Sequence, residues 1–184
     1  MNGLPKDLDF KGEGEKLKIP EKNVLIFGFL LFVIFGSNGI IIDWSALWFT
    51  KELNAPLYLA SLGLIFLSFG GIFANLFSNQ LIKLFSEKIV GCYFVIFGSL
   101  ILFSSIIIGN FYFILITFFF YGFLTANLVP IIIRQAVKHS SESIPTTVTN
   151  LITMGFSALL FAPAVIGFIA ETYSLTINMY ALCI

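Results

Sequence analysis

The chain contains few of the residues that usually carry enzyme chemistry or bind metals. Its 184 residues include one histidine and two cysteines. His139 stands beside Ser140 and Ser141, which favours a solvated loop histidine over a catalytic triad or a metal ligand. Cys92 and Cys183 lie in or at the edge of apolar runs, where small packing residues are a more common role than a disulfide. The sequence therefore predicts no enzyme, no metal site and no cofactor.

Charge is also scarce. Charged residues make up 11% of the chain, against roughly 25% in soluble domains. Ten Lys and Arg balance ten Asp and Glu, and no basic stripe stands out, so nothing supports a nucleic-acid partner. With 58% hydrophobic residues, the composition excludes an ordinary soluble domain and indicates a protein whose partner is the lipid bilayer.

In place of charge, the chain carries long uncharged apolar runs. The first, Val24 to Ile42, holds fourteen Val, Leu, Ile and Phe residues, whose insertion gains roughly 4 to 8 kcal/mol. A helix needs about 20 residues to cross the hydrocarbon core. We predict six spans, at about 24–43, 57–77, 89–108, 111–133, 148–170 and 175–184. The sixth is too short to cross and is predicted to be truncated.

The predicted fold class is accordingly all-α, a polytopic transmembrane helix bundle over residues 22–184. Residues 1–21 carry five acidic residues and four Lys, with a fifth Lys at position 22, and few large apolar side chains. This composition predicts a flexible polar cytoplasmic tail or linker. Small residues at Gly70, Gly71 and Ala74 in the second span, and at Gly155, Ala158 and Ala162 in the fifth, predict close helix contacts.

The basic residues predict the orientation of the spans. Nine of the ten fall before span one or in the second and fourth connections: Lys6, Lys11, Lys16, Lys18, Lys22, Lys83, Lys88, Arg134 and Lys138. Only Lys51 falls on the other side. Short loops rich in Lys and Arg remain in the cytoplasm, so we expect a multi-pass inner (plasma) membrane protein with a cytoplasmic amino terminus. Trp44, Trp48 and Tyr58 are then expected to flank the first external loop.

Polar residues inside the spans are the candidate functional positions. Asn38 lies near the predicted outer end of span one, while Asn75, Asn127 and Asn150 lie toward the cytoplasmic ends of their spans. Such residues usually face a bundle interior or a wet cavity. Interhelical hydrogen bonding is an equally good interpretation for any single Asn. Asp43, at the predicted end of span one, is either solvated or bonded to the next helix.

Three pieces of the chain resemble a known family. The run NGIIIDWSALW from Asn38 to Trp48 resembles the seventh-helix signature of permeases of the major facilitator superfamily, in the branch similar to fucose permease. GFLTANLVP, from Gly122 to Pro130, resembles that branch's tenth helix. The stretch from Thr153 to Glu171 resembles its eleventh. The resemblance covers Val24 to Ile184.

The resemblance implies the carboxy-terminal half of such a permease. The first and fourth helices would line the central cavity, the second and fifth the rim between halves, and the third and sixth the lipid side. The chain departs from the family where Asn38 replaces a common Glu. It departs again where the loop signature falls on Ser78, Asn79 and Gln80, with Lys83 at a position that is usually acidic.

The predicted function is transport of a small solute, such as a sugar, by alternating access, as one half or a fragment of a secondary transporter. Asn38, Tyr121 and Asn127 are the substrate-cavity candidates. Asp43, Asn75 and Asn150 are candidates for interface or gating roles. The expected partners are the solute and either an amino-terminal half or a second copy. The alternative is a non-transporting membrane remnant or structural subunit.

Overall fold

The computed structural model describes residues 20–183, and within this range it contains helices and no strands. The helices are α1 Lys22–Lys51, α2 Leu57–Leu76, α3 Ser78–Ile108, α4 Phe111–Lys138, α5 Ile144–Thr172 and α6 Leu175–Ala181. The first five are long and apolar enough to cross a bilayer. The predicted all-α transmembrane helix bundle is confirmed. Residues 1–19 of the tail predicted for residues 1–21 lie outside the described residues.

Helix α1 is longer than predicted. It continues past Asp43 to Lys51, because no Gly or Pro lies between Asp43 and Pro56. Trp44 and Trp48 therefore lie within the helix instead of flanking a loop. The Trp48 side chain is buried, with 1% of its surface exposed.

Helix α3 also begins earlier than the predicted span. The stretch Ser78–Lys88, predicted as a loop, is helical, since its apolar and polar residues follow a helical pattern without Gly or Pro. Ser86 breaks the regular geometry with φ 67° and ψ 157°, a region that non-glycine residues rarely occupy. A π-helical turn, Ile89–Tyr93, follows directly. Beyond it, the helix is regular to Ile108.

The turn between α3 and α4 is as short as the sequence predicts. Gly109 adopts the left-handed conformation with φ 66°, which costs glycine little. The side chain of Asn110 then accepts a hydrogen bond from the backbone N–H of Phe113 at 3.1 Å, an N-cap for α4. The two helices are consequently antiparallel neighbours.

Close helix packing occurs at several glycines, and Gly70 and Gly155 are the predicted ones among them. Gly70 of α2 lies against the carbonyl of Phe119, and Gly122 of α4 lies against the carbonyl of Leu67. On the other side of the bundle, Gly155 of α5 lies against the ring of Phe35. The predicted close contacts of the second and fifth spans are confirmed at Gly70 and Gly155.

The packing has an internal correspondence. Helix α1 packs most extensively along α5, and α2 packs along α4. If α1, α2 and α3 are matched in order with α4, α5 and α6, the contact between α1 and α5 corresponds to the contact between α4 and α2. Helix α6 packs against α1, α3 and α5.

Candidate functional site

A polar cavity lies within the bundle between α1, α3, α4 and α6. Its volume is about 260 Å³. Five of the residues that line it carry hydroxyl or amide groups: Ser37, Asn38, Ser99, Tyr121 and Thr125. Apolar residues form the rest of the wall, including Ala181 at the end of α6 and Leu182 directly after it. The cavity brings together two of the predicted positions, Asn38 and Tyr121.

An interruption of α4 forms one wall of this cavity. The helical run ends at Thr125 and resumes at Leu128. Pro130 contributes to the break because it has no N–H to donate to the Ala126 carbonyl four residues earlier. Thr125 donates its hydroxyl back to the Tyr121 carbonyl at 2.7 Å. Residues on both sides of the break line the cavity, so an irregular backbone borders polar side chains.

The chemistry that this cavity offers is neutral. None of its lining residues is charged, and the part of the chain that the structure describes contains no group of side chains able to hold a metal ion. Hydroxyl, amide and phenol groups donate and accept hydrogen bonds without carrying charge. The lining that this chain supplies therefore offers hydrogen bonds without charge.

Asn127, the third predicted cavity residue, lies elsewhere. Its side chain is 1% exposed and donates to the carbonyl of Ala74 at 3.4 Å, linking α4 to α2. Its side-chain amide oxygen, Oδ1, is buried and has no hydrogen-bond partner among the described residues. Asn127 is not part of the cavity lining.

The interface or gating candidates are dispersed. Asp43 and Asn75 are exposed on α1 and α2. Asn150 of α5 donates to a carboxylate oxygen of Glu142 at 3.1 Å. The other oxygen of Glu142 accepts the backbone N–H of Glu21 at 3.0 Å. Asn150 thus belongs to a network that joins the start of α1 to the connection before α5.

Several cavity residues escaped prediction from the sequence. Ser37 adjoins Asn38, and Thr125 belongs to the GFLTANLVP piece, so both had a local signal. Ser99 had none, because it lies in a span whose composition favoured the lipid side. It reaches the cavity because Gly98 lets α3 approach Tyr121 and Leu124 of α4 closely.

The ends of the helices carry the charged contacts. One end of the bundle holds Lys83, Lys88, Arg134 and Lys138, and we call it the basic end. There, Glu87 of α3 accepts hydrogen bonds from two side chains of α4. These come from Arg134 and Gln135, each at 2.5 Å. Lys138 lies 4.0 Å from the same carboxylate. This arrangement fastens α3, just after its break at Ser86, to the end of α4.

At the opposite end, Glu52 fastens α6 to the end of α1. Its carboxylate accepts the backbone N–H groups of Leu175 at 2.6 Å and Thr176 at 2.9 Å, and it also accepts the Thr176 hydroxyl. Trp48 donates its indole N–H to that hydroxyl oxygen at 2.8 Å. The sequence had pointed to Asp43 and not to Glu52 for a contact of this kind.

The chain is similar to two curated membrane proteins. It is 30% identical over 173 residues to an uncharacterized MFS-type transporter of Yersinia pestis. It is 28% identical over 157 residues to the membrane protein MosC of Rhizobium meliloti. The alignments cover 90% and 83% of this chain but 43% and 37% of the relatives, so the chain spans less than half of their length.

No family model matches the chain, and no solved structure matches it. The similarity to an MFS-type transporter and the five apolar helices nevertheless agree on one point. The chain is a multi-pass integral membrane protein.

Proposed function

We propose that the chain forms the carboxy-terminal, six-helix half of a transporter of the major facilitator superfamily and serves to move a small, uncharged polar solute. The observation that carries this proposal is the correspondence between the α1–α5 and α2–α4 contacts. Three helices cross a membrane an odd number of times, so a second set of three runs in the opposite direction. Inverted three-helix repeats of this kind build each half of such transporters. The similarity to an MFS-type transporter over 90% of the chain supports the same proposal.

The cavity supplies the proposed solute site. Asn38 and Tyr121 line it from α1 and α4, and polar residues inside a membrane bundle often face a solute path. In this proposal Asn38 hydrogen-bonds the solute and Tyr121 provides a ring and a hydroxyl. Asn127 holds α4 against α2 instead.

We further propose that the basic end faces the cytoplasm of a cell with an inner membrane. Nine of the ten Lys and Arg residues belong to that side in the sequence, in agreement with the rule that short basic loops stay inside. The Glu87–Arg134 contact then lies at the cytoplasmic mouth, and the Glu52 contacts lie at the outer mouth.

A complete pathway in this proposal requires a second bundle. Alternating access moves two bundles against each other around a shared site, and α1 to α6 supply one of them. The partner is an amino-terminal half or a second copy of this chain.

The experiment that tests the solute site measures thermal stabilisation of the purified chain in detergent by a panel of ligands. The panel contains neutral monosaccharides and polyols on one side and amino acids and carboxylates on the other. We expect a neutral compound to raise the unfolding temperature, and Asn38→Leu to weaken its apparent affinity about tenfold by removing a hydrogen-bonding partner. Ser104→Ala is the matched control, because Ser104 is exposed on α3 and bonds only its own helix.

Two results would overturn the solute assignment. One is stabilisation by charged compounds alone. The other is a neutral ligand whose affinity is the same with Asn38→Leu as with Ser104→Ala.

A further inference from the structure

Two backbone irregularities stand side by side where α3 meets the end of α4. Ser86 has φ 67° and ψ 157°, a region that is essentially restricted to glycine. The π-helical turn Ile89–Tyr93 follows closely, and Glu87 and Lys88 are the two residues between them. Such irregularities persist only where surrounding contacts hold them in place, and they cluster at elements that switch between two states.

The surface of α4 that faces this stretch is basic. Glu87 accepts hydrogen bonds from Arg134 and Gln135 at 2.5 Å each, one on each of its carboxylate oxygens. Lys138 lies 4.0 Å from the same carboxylate. An acid at this position is therefore attracted to α4, whereas a cation in its place would be repelled.

The π turn determines which residue of α3 faces that basic surface. A π turn contains about one residue more than an α turn, and one residue corresponds to roughly 100° of rotation about the helix axis. The residues before the turn are therefore rotated relative to Phe94–Ile108, the regular part of α3. If Ile89–Tyr93 were α-helical, Glu87 would point about a quarter turn away from α4, and Lys88, the next residue, would take its place.

Ser86 provides room for the residue that such a shift displaces. When the π turn becomes α-helical, one residue leaves the start of the helix, so Glu87 joins Ser86 in the joint. Two residues then share the bend, which relieves the strain of a positive φ at Ser86. Backbone strain thus favours the α-helical register, while the hydrogen bonds of Glu87 favour the π register. Energies of these two kinds are similar in size, so the two registers are closely balanced.

We propose that the start of α3 is a two-register switch. In one register the π turn presents Glu87 to Arg134 and fastens α3 to α4. In the other register the turn is α-helical, Lys88 faces Arg134, and the attraction becomes repulsion. Because α4 is interrupted at 126–127, its last segment, Leu128–Lys138, is the part that responds. This inference depends neither on transport nor on the orientation in the membrane.

Exchanging the two charges tests the switch. Hydrogen–deuterium exchange of the purified chain in detergent is measured at the amides of residues 135–138. Glu87→Lys places a cation opposite α4 in both registers, so exchange should become about fivefold faster, the effect of losing one partly exposed ion pair. Glu87→Lys combined with Lys88→Glu restores an acid in the α-helical register alone, and the rate should return to that of the unchanged chain. Exchange in α2 is the internal control and should stay the same.

Deletion of Cys92 tests the role of the π turn directly. It removes the extra residue, so Lys88 should face Arg134 and exchange should be accelerated as in Glu87→Lys. Adding Lys88→Glu to the deletion should reverse the acceleration. Adding Lys83→Glu, on the other side of the Ser86 joint, is the matched control and should not reverse it. Circular dichroism checks that each variant keeps its helix content.

Two kinds of result would overturn the proposal. If the charge exchange leaves the rate as fast as in Glu87→Lys, α3 has a single register. If deletion of Cys92 in a folded chain leaves exchange unchanged, or if Lys88→Glu fails to reverse its effect, the π turn does not set which residue faces α4. The charge exchange involves no deletion, so its result is decisive whether or not the shortened chain folds.

Discussion

At the scale of single residues, backbone contact between α2 and α4 sets how closely the helices can pack. Gly70 faces the Phe119 carbonyl and Gly122 faces the Leu67 carbonyl, so each helix presents a glycine to the backbone of the other. Lipid gives helices no hydrophobic reason to associate, and close van der Waals contact must stabilise the pair instead. A methyl group at either position would meet backbone atoms that cannot move aside alone.

We predict that Gly70→Ala destabilises the bundle by about 1 to 3 kcal/mol, the usual cost of overpacking. The added Cβ would meet the Phe119 carbonyl oxygen and lie 2.8 Å from the Phe123 nitrogen. Unfolding of the purified chain by denaturant in mixed micelles measures the free energy.

Gly71→Ala is the matched control for that prediction. Its added Cβ would make an ordinary contact with Ala126 at 3.8 Å, so its stability should stay close to that of the unchanged chain. Equal destabilisation by both substitutions would contradict the assignment of close packing to Gly70.

At the scale of helices, α6 depends on a residue that is distant in sequence. Its seven residues, Leu175–Ala181, are too few to be stable as an isolated helix. Ser174 caps it locally through a bond to Ile177 at 3.3 Å. Glu52 satisfies two further backbone N–H groups, and a carboxylate also complements the partial positive charge of a helix amino terminus. The end of α1 therefore holds the start of α6 in position.

We predict that Glu52→Ala loosens α6 at a cost of about 2 kcal/mol, the scale of a hydrogen bond to a charged group. Hydrogen–deuterium exchange should become faster at the amides of residues 175–178 and remain unchanged in α2. Glu171→Ala is the control, since Glu171 is exposed and makes no side-chain hydrogen bond within residues 20–183. Faster exchange in both variants would indicate a general effect of lost negative charge.

At the scale of the whole molecule, the two ends of the bundle differ in charge. Lys22, Lys83, Lys88, Arg134 and Lys138 gather at one end, and Lys51 is the basic residue at the other. Moving the basic end across a membrane would require several cations to cross hydrocarbon, each at a cost of about 2.5 to 3.5 kcal/mol at the centre. The bundle is therefore expected to have one stable orientation.

We predict that a reporter fused after Gly109 is exported and that one fused after His139 stays in the cytoplasm. Alkaline phosphatase and green fluorescent protein, each active on one side only, provide complementary readouts. A fusion after Gly109 that fluoresces in the cytoplasm would reverse the proposed orientation.

The helical spans were predictable because their signal is local. Each apolar run is long enough to cross a bilayer whatever its neighbours are, and Gly109 with Asn110 specifies its turn through its own backbone and side chain. The ends of the helices were less predictable. Asp43 and Trp44 are polar or amphipathic and suggested an end to α1, but without Gly or Pro the helix continues to Lys51.

The partners of individual side chains were decided by the tertiary structure. Asn38, Tyr121 and Asn127 had similar signals in the sequence, yet Asn38 and Tyr121 line a cavity while Asn127 bonds to α2. Which face of a helix meets which neighbour depends on the rotation and crossing of all the helices. In uniformly apolar helices no hydrophobic stripe reveals that rotation.

The sequence by itself determined how many helices form and favoured one orientation, because insertion depends on each segment alone. Only the packed bundle decided which polar groups meet, since that depends on distant segments together.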